Sequence, residues 1–541
     1  MFTQARFRSR DAVLAVLVFV GIVTYLVYLP RSLGRADESH FLYEAKRIRE
    51  GQVMYRDFFQ FVTPGAPYLM ALLFWAFGTT IQTARVATAI LHGLTGVVMY
   101  ASCRALGVRR ALSIIPPVAF IALCQPGWQF ASWHWFSTFF TTLVLFLMLR
   151  VPWESRPRSA IIPGLAVGLL MGVQQQKGFA VTLGVAAVFV IDHLVDRRYP
   201  QPGSWRDLAV RLISFGAGIA IIVVPLLTTF VVLAGFDPMF DALVRFPLVN
   251  YRKSFQTTWG NVIWITQGYA RYTYPLILKY LPVALVPAAL RVIVGLFTAI
   301  DRAELRQLIV LIVSGGAAAL SIWYFPDFIH VGFIGPVFLI AAAEALEWTL
   351  RTVEPVVGRA WRGVRREGRD YAGIAVAGAL LCLLSLHLYG NAVLLKEQFR
   401  YPHDTAFGRI DFPVRWEPIM VDHARALLSE TASNELFAYP NTSEPYLTTG
   451  GRNPTPYQYF FSHVSPREHT EKVLAILKTG AVPYVVTQGF FIRPTDPVAR
   501  VILDDYEPVD IPALKDIGEL QTLTLYRRKD GAHAPADGAT N

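Results

Sequence analysis

The sequence is poor in charged residues and in cysteine. Asp, Glu, Lys and Arg make up only 16% of the 541 residues, against roughly a quarter in soluble domains. The three cysteines lie within apolar segments, at Cys103, Cys124 and Cys382, so neither a disulfide framework nor a zinc-binding spacing is indicated. No internal repeat is evident, which argues against an inverted-repeat transporter. With 54% hydrophobic residues and a mean hydropathy of +0.40, the chain is predicted to be a polytopic α-helical membrane protein.

The net charge of +11 is distributed in a way that favours membrane orientation over nucleic-acid binding. Basic residues cluster in short loops between apolar runs, which is the pattern of the positive-inside rule. Arg6, Arg8 and Arg10 precede the first run, and the densest basic loop follows Leu350. We therefore expect no nucleic-acid partner and a cytoplasmic N-terminus. The first run lacks a small-residue cleavage site and is expected to stay attached.

Hydropathy and loop charge together predict about eleven membrane spans. Tyr68–Phe77 is too short to cross a bilayer and is assigned to the first external loop, residues 31–83. The alternation of loops predicts a multi-pass protein of the plasma (inner) membrane with its C-terminus outside. The predicted spans are Ala12–Leu29, Ala84–Leu106, Ala111–Cys124, Trp135–Val151, Ile161–Val173, Phe179–Val195, Leu208–Ala234, Pro275–Phe297, Leu308–Phe325, Val331–Leu350 and Ala372–Leu395.

The composition changes near residue 396 to that of a soluble domain. The sequence thus divides into a membrane domain (1–395), a periplasmic or extracellular α/β domain (396–530) and a disordered tail (531–541). Ser465–Glu468 is predicted to form a capping box at the start of a helix. Asn441-Thr442-Ser443 matches a glycosylation sequon, which matters only in a compartment that glycosylates asparagine. The other predicted elements are a helix at Pro418–Ser429 and strands at Glu435–Tyr439, Tyr484–Thr487 and Leu523–Tyr526.

Two adjacent carboxylates, Asp37 and Glu38, stand where the chain leaves the first span. Apolar residues then recur at helical spacing up to Gly51, which predicts an amphipathic helix lying on the membrane surface. The pair suits chemistry between a lipid-borne and a water-borne substrate. An equally good alternative is that the two acids have no chemical role and simply stabilise the N-terminus of that helix.

Further polar residues gather at the predicted outer ends of the spans, where ionisable side chains usually face a cavity. Each has a structural alternative. Tryptophans such as Trp133 are typical of the interfacial belt, and His134 and His330 could be ordinary hydrogen-bonding partners. Lys177 interrupts an apolar region and should either bind an anion or extend its ammonium to the interface.

Several stretches resemble the GT-C membrane glycosyltransferases, most closely those of the protein mannosyltransferase and aminoarabinose transferase type. The first loop carries the most specific motifs, and the rest of the likeness, over about residues 11–350, is one of layout. The stretches are Asp37-Glu38, Glu44–Phe58, Pro64–Tyr68, Phe77–Arg85, Gly172–Gly178 and Phe328–Pro336.

The resemblance implies transfer of a sugar, with inversion, from a polyprenyl-phosphate donor to a glycan, glycolipid or protein acceptor outside the membrane. It assigns the catalytic carboxylate to Asp37 and makes Glu38 the second acid of the catalytic pair, supporting Asp37 or associated with a metal. Candidates for the donor phosphate are Lys177, Arg56 and His330. No tightly bound metal is expected, although a divalent cation stays open. The predicted substrate-lining residues are Asp57, Tyr55, His134, Trp133, Gln176 and Asp327.

Two other functions compete with this one. A transporter or flippase of lipid-linked saccharides would carry its ionisable residues near the membrane midplane, on broken helices of paired halves. A scaffold whose external domain binds a partner would leave Asp37 and Lys177 without a shared role. The predicted outer placement of the polar residues favours the enzyme.

Overall fold

The computed structural model describes residues 9–199, 203–251, 276–298, 300–360, 371–489 and 495–529. Helices dominate these residues, and strands occur only after residue 400. Three parts of the sequence-based predictions lie outside the described residues. They are the tail, the basic residues Arg6 and Arg8 before the first span, and Pro275 at the start of the span Pro275–Phe297.

The helices of the N-terminal part are numbered in chain order among the described residues. A π-helical segment, Asp241–Tyr251, follows α11, and the 3₁₀ segments are Gln125–Gly127, Pro157–Ala160 and Leu276–Leu285. A second π-helical turn is Phe120–Cys124. The helices are α1 (Ser9–Tyr28), α2 (Asp37–Arg49), α3 (Gly65–Phe77), α4 (Ile81–Ala105), α5 (Arg110–Ser113), α6 (Ile115–Ala119), α7 (Trp133–Arg150), α8 (Ile161–Val173), α9 (Gln175–Asp196), α10 (Trp205–Ala234), α11 (Phe236–Phe240), α12 (Val286–Gly295), α13 (Arg302–Ser321), α14 (Phe328–Ala360) and α15 (Tyr371–Gln398).

Within the described residues, nine helical segments are long and apolar enough to cross a membrane. They coincide with nine of the predicted spans, and the chain is a multi-pass membrane protein. The other two predicted spans are helical as α7 and α8, of 18 and 13 residues. The count of eleven stays a prediction.

Helices α8 and α10 approach each other closely through glycines. A Cβ placed on Gly164 of α8 would lie 2.3 Å from the carbonyl oxygen of Phe215 and 3.2 Å from the Cα of Gly218, both on α10. Small residues allow such close backbone approach between membrane helices, where van der Waals packing drives association. This contact fixes α8, whose C-terminal end leads into the polar segment at residue 174.

The first loop, between α1 and α4, contains two short helices. Helix α2 begins at Asp37 and ends at Arg49, and Gly51 follows with φ of +91°, a conformation that favours glycine. The apolar stretch assigned to the loop forms α3, which spans 13 residues. The predicted helix up to Gly51 is present. Its predicted position as an amphipathic helix on the membrane surface is wrong, because nine of its residues, among them the charged Glu38, Glu44 and Arg47, are buried by protein.

The C-terminal part forms a small mixed sheet and a separate hairpin. Strands β3 and β4 are parallel, and the four-stranded sheet has the order β3-β4-β6-β5. Strands β1 and β2 form the antiparallel hairpin. The elements are β1 (Tyr401–Thr405), β2 (Gly408–Phe412), α16 (Trp416–Ser429), β3 (Leu436–Tyr439), α17 (Glu444–Thr449), α18 (Arg467–Lys478), β4 (Tyr484–Gln488), α19 (Pro497–Asp505), β5 (Tyr506–Pro508), α20 (Pro512–Lys515) and β6 (Leu523–Arg528).

The predicted capping box before α18 is not formed. The helix begins at Arg467 with Pro466 at the N-cap position, and no side chain makes a capping hydrogen bond there. The capping-box prediction requires Pro466 to be the first helical residue. The helix instead begins one residue later. The predicted helices and strands of this domain otherwise match α16, β3, β4 and β6 to within a few residues.

The C-terminal domain packs directly onto the first loop and its flanking residues. Backbone N–H of Arg31 donates to Oδ2 of Asp411 at 2.7 Å, and Ile81 N–H donates to the carbonyl of Phe407 at 2.9 Å. Buried apolar residues of both parts also belong to one continuous core. The domain therefore has a fixed position over the ends of the membrane helices.

The glycine contact between α8 and α10 gives a stability prediction. Gly164→Ala should lower the free energy of unfolding by roughly 1–3 kcal/mol, because the new methyl group has no room against Phe215. Gly216→Ala is the matched control, since a Cβ on Gly216 of α10 meets nothing within 4 Å. Thermal unfolding in detergent measures both variants, and equal melting temperatures would contradict the packing argument.

Candidate functional site

A cavity lies between the membrane helices, the first loop and the C-terminal domain, and its empty space of ≈ 590 Å³ includes volume open to solvent. Its wall combines one carboxylate, three histidines, three glutamines and several aromatic rings. The lining residues are Asp37, His40, Gln60, Phe61, Val62, Trp133, His134, Gln174, Gln176, Tyr251, Tyr324, His330 and Tyr459.

Four helices begin at this cavity. Each helix contributes a lining residue from its first three positions. Asp37 is the first residue of α2, and His134 is the second residue of α7. Gln176 is the second residue of α9, and His330 is the third residue of α14. Helix N-termini carry partial positive charge and free N–H groups. Within the part of the chain that the structure describes, no side chain caps the N-terminus of α2 or of α9 by a hydrogen bond. The site therefore favours an anion.

Asp37 is the carboxylate that reaches the cavity. Burial raises the pKa of Asp37 above its usual value, and the nearby His330 opposes that rise. Asp327 adds a second negative charge that raises the same pKa further. A carboxylate held in this way binds a proton more readily than one in water.

His330 is oriented by Asp327. The imidazole Nδ1 lies 2.6 Å from Oδ1 of Asp327, and the same oxygen accepts the backbone N–H of His330 at 2.8 Å. Asp327 therefore both fixes the ring and caps the start of α14. The ring of His330 meets that of His134 edge to face, with centroids 5.2 Å apart.

The segment between α8 and α9 forms one side of the cavity, with Gln174 and Gln176 among the lining residues. Gln174 is extended, and its Nε2 lies 3.2 Å from Nδ1 of His134. Gln175 accepts the N–H of Thr63 and donates to the carbonyl of Phe61, at 3.1 and 2.8 Å. These bonds attach the first loop to the membrane helices.

Lys177 lies one turn into α9 with its side chain buried. Among the described residues its Nζ has no hydrogen-bond partner, and it lies 5.4 Å from the ring centroid of Phe333. The neighbouring Gln176 also leaves its Oε1 unpaired within the described residues. Lys177 is not among the residues that line the cavity, but its neighbour Gln176 is, and the Phe333 ring that it faces stacks on the lining residue His134. Because an unpaired buried ammonium is costly, this position favours an anionic ligand.

Three tyrosines from distant parts of the chain line the cavity with Asp37. Tyr251 ends the π-helical segment, Tyr324 precedes α14, and Tyr459 comes from the C-terminal domain. Burial raises the pKa of each hydroxyl, and the nearby Asp37 adds to the rise. The three phenols stay protonated and can donate hydrogen bonds while their rings offer flat apolar surfaces, a combination that suits a sugar.

Glu38 lies elsewhere, although it is adjacent to Asp37 in sequence. It is fully buried, pairs with Arg85, and accepts the backbone N–H groups of Gly34 and Ala131 at 2.7 and 2.6 Å. These contacts satisfy its carboxylate without any substrate. The structure therefore places Glu38 in the support of the first turn of α2.

The other predicted residues of the first loop also lie away from the cavity wall. Arg56 is exposed and pairs with Asp57 at 2.8 Å. Tyr55 is buried against Phe230 and donates its hydroxyl to the carbonyl of Val62 at 2.8 Å. The predicted residues that do line the cavity are Asp37, Trp133, His134, Gln176 and His330.

Sequence reasoning missed several lining residues. His40 lies one helical turn after Asp37, and this spacing could have identified it. Gln60, Phe61 and Val62 precede the proline-rich turn without any motif. Tyr459 carries no local signal, since only the docking of the C-terminal domain brings it to the cavity.

Within the described residues, no group of three or more His, Cys, Asp or Glu side chains is arranged to hold a metal ion. Asp327 and His330 bind each other. The possibility of a divalent cation stays open.

Comparison with known proteins gives a fold. No protein-family model and no curated protein sequence matches the chain. A crystal structure of ArnT from Cupriavidus metallidurans bound to undecaprenyl phosphate matches over 97% of this chain and 99% of that chain, with 16% identity and a TM-score of 0.57. The apo form of the same enzyme matches with a TM-score of 0.55.

A second match is the archaeal oligosaccharyltransferase AglB from Archaeoglobus fulgidus, in complex with an inhibitory peptide and a dolichol-phosphate. It covers 89% of this chain and 70% of that chain, with 14% identity and a TM-score of 0.52. Both proteins have the fold of the GT-C membrane glycosyltransferases. The chain described here is therefore a multi-pass membrane protein with the GT-C fold.

The contrast between the two adjacent acids can be measured. Glu38→Gln should lower the free energy of unfolding by about 3 kcal/mol, because it leaves the guanidinium of Arg85 without its charged partner. Asp37→Asn should change it by less than about 1 kcal/mol, because a buried carboxylate is replaced by a neutral isostere. Thermal or denaturant unfolding of the purified protein gives both values. Equal losses would contradict a supporting role for Glu38.

Proposed function

We propose that the chain is an inverting glycosyltransferase that moves a sugar from a polyprenyl-phosphate carrier to a cell-envelope acceptor. The observation that carries this proposal is the cavity itself, where one carboxylate faces an environment built for an anion. The fold supports it, since one neighbour was solved with undecaprenyl phosphate and another with a dolichol-phosphate. We place the cavity on the outer face of the plasma membrane.

Asp37 would act as the general base. The acceptor hydroxyl attacks the anomeric carbon, its proton passes to the Asp37 carboxylate, and the bond from that carbon to the phosphate oxygen breaks. The lipid phosphate leaves with the bonding electrons. Attack from the face opposite the phosphate inverts the anomeric configuration. Burial assists the base because it raises the pKa of Asp37.

Lys177 and the converging helix N-termini would hold the phosphate. The buried ammonium has no partner among the described residues, and α9 begins two residues before it. Positive charge placed where the leaving group gains negative charge lowers the barrier of the transfer. His330, whose Nδ1 binds Asp327, would donate from Nε2 to the same group as an imidazolium, because a neutral ring has only one N–H.

The aromatic wall would hold the sugar. Trp133, Tyr251, Tyr324 and Tyr459 surround the carboxylate and supply flat faces together with hydroxyl donors. The three glutamines on the wall add directional hydrogen bonds. A sugar held against this wall would displace water from the reacting centre, which protects the donor from hydrolysis.

A flippase of lipid-linked saccharides is the second candidate. The polar residues lie in the first turns of α2, α7, α9 and α14, whereas a transporter would have them midway along broken helices.

The proposal predicts the behaviour of two variants. Asp37→Asn should reduce sugar transfer at least about 100-fold, because the amide cannot accept the proton. Lys177→Met should weaken donor binding at least about tenfold, because it removes a charge-assisted hydrogen bond. Transfer from radiolabelled polyprenyl-phosphate sugars to envelope extracts measures both effects, and NMR of the product shows its anomeric configuration.

Lys46→Met is the matched control for Lys177→Met. Lys46 lies on α2 and pairs with Glu50 at 3.3 Å, so the same chemical change should leave transfer unchanged. Failure of the wild type to transfer from any donor, while it moves lipid-linked sugar across vesicles, would overturn the enzyme in favour of the flippase. Retained configuration in the product would contradict direct displacement.

The acid limb of the pH profile should report Asp37. Transfer needs the ionised base, and the pKa of Asp37 is raised, so kcat/KM should rise with pH along a limb centred above the usual carboxyl value of about 4. The residual activity of Asp37→Asn should lack this limb. Rates at fixed ionic strength across a series of buffers give the profile. A profile that stays level down to about pH 4 would contradict the assignment.

A further inference from the structure

Three consecutive residues of the C-terminal domain, Asn441, Thr442 and Ser443, bind the turn of α2 that carries Asp37. Thr442 donates its hydroxyl to the carbonyl of Arg35 at 3.1 Å. The N–H of Ser443 donates to Oγ of Ser39 at 3.1 Å. The contacts thus fall on both sides of the carboxylate in sequence, at two residues before it and two after it.

His40 extends this contact into the cavity. Its Nε2 lies 2.8 Å from Oδ1 of Asn441, and its Nδ1 lies 2.8 Å from Oγ of Ser443. Because Oδ1 can only accept, Nε2 carries the proton and Nδ1 accepts from the hydroxyl of Ser443. The ring also meets Tyr459 edge to face, with centroids 6.0 Å apart.

These bonds leave His40 no polar atom for a substrate. Burial lowers the pKa of His40 to about 4, so the ring stays neutral and holds one tautomer around pH 7. A neutral ring with both nitrogens engaged cannot serve as a general acid or base. Its remaining capacity is to hold its neighbours in place.

The backbone at Asn441 is adapted to this arrangement. Its φ of +49° lies in the left-handed region, which asparagine adopts more readily than most residues. Thr442 and Ser443 are buried, so attachment of a glycan to this sequon would require the interface to open. The motif is better explained by its contacts with α2.

We propose that residues 441–443 and His40 are positioning residues that fix Asp37 against the donor, so that the C-terminal domain is an integral part of the catalytic site. Resting on the proposed glycosyltransferase function, this inference assigns the domain a role in the chemical step. Displacement of a catalytic group by about 1 Å can cost on the order of 100-fold in rate. Binding of the donor depends mainly on Lys177 and the aromatic wall, and should change little.

The test is steady-state kinetics of sugar transfer with the full-length chain. Asn441→Gly removes the acceptor of the His40 bond and keeps a residue that tolerates positive φ. We expect kcat to fall at least about tenfold, with the KM for the donor within about threefold of wild type. His40→Ala should fall further, and His40→Gln should recover part of the rate because its amide can donate to Asn441.

Tyr43→Phe is the matched control. The Tyr43 hydroxyl accepts the N–H of Asn453 at 2.9 Å, and its ring stacks on Tyr446. The substitution therefore removes one hydrogen bond from the same interface, about two turns from Asp37, and kcat should stay at the wild-type value. The melting temperature and the fraction of monodisperse protein are measured for each variant, so that every rate can be expressed per amount of folded enzyme.

The outcomes separate this inference from the function on which it rests. If Asn441→Gly, His40→Ala and Tyr43→Phe all transfer sugar at the wild-type rate, the positioning role is overturned and the glycosyltransferase function is unaffected. A kcat loss that follows the fall in melting temperature equally in all three would also overturn it, because the interface would then act through stability alone. Absence of transfer by the wild type would instead overturn the proposed function.

Discussion

The cavity depends on the way α2 is held between two bodies of protein. On one side, the Glu38–Arg85 ion pair fastens its first turn to α4. On the other, His40 is bound by Asn441 and Ser443 of the C-terminal domain. A 13-residue helix has little stability of its own in water, so these contacts determine where its first residue, Asp37, points.

The same helix also carries a polar network, which contacts the cavity-lining residue Gln60. Oε1 of Glu44 accepts the side-chain amides of Gln60 and Gln458, and burial raises the pKa of Glu44 to about 8. Arg47 donates to Gln458 at 3.1 Å and to the carbonyl of Asp57 at 3.1 Å. Buried polar groups are costly unless they are satisfied, so this network favours one arrangement of the first loop and the domain above it.

The first loop thus has a different organisation from the one its motifs alone indicate. The motif that follows Asp37 contains Tyr55, Arg56 and Asp57, yet these residues close a turn against Phe230 and against each other. Their contribution is to the shape of the loop that presents Gln60 and Phe61 to the cavity. A local motif can therefore be specific for a fold although none of its residues, here from Glu44 to Phe58, is among those that line the cavity.

The sequence by itself determined the membrane class, the helices and the candidate carboxylate, because apolar run length, helical periodicity and the position of Asp37 are local properties. It also indicated Lys177, since a lysine between apolar runs is costly without a ligand. Only the tertiary structure separated Asp37 from Glu38 and brought in His40 and Tyr459. Adjacent residues on a helix point in directions about 100° apart, and contacts across more than 400 positions of the chain have no local signal. Which side chains meet was decided by how the C-terminal domain docks on α2.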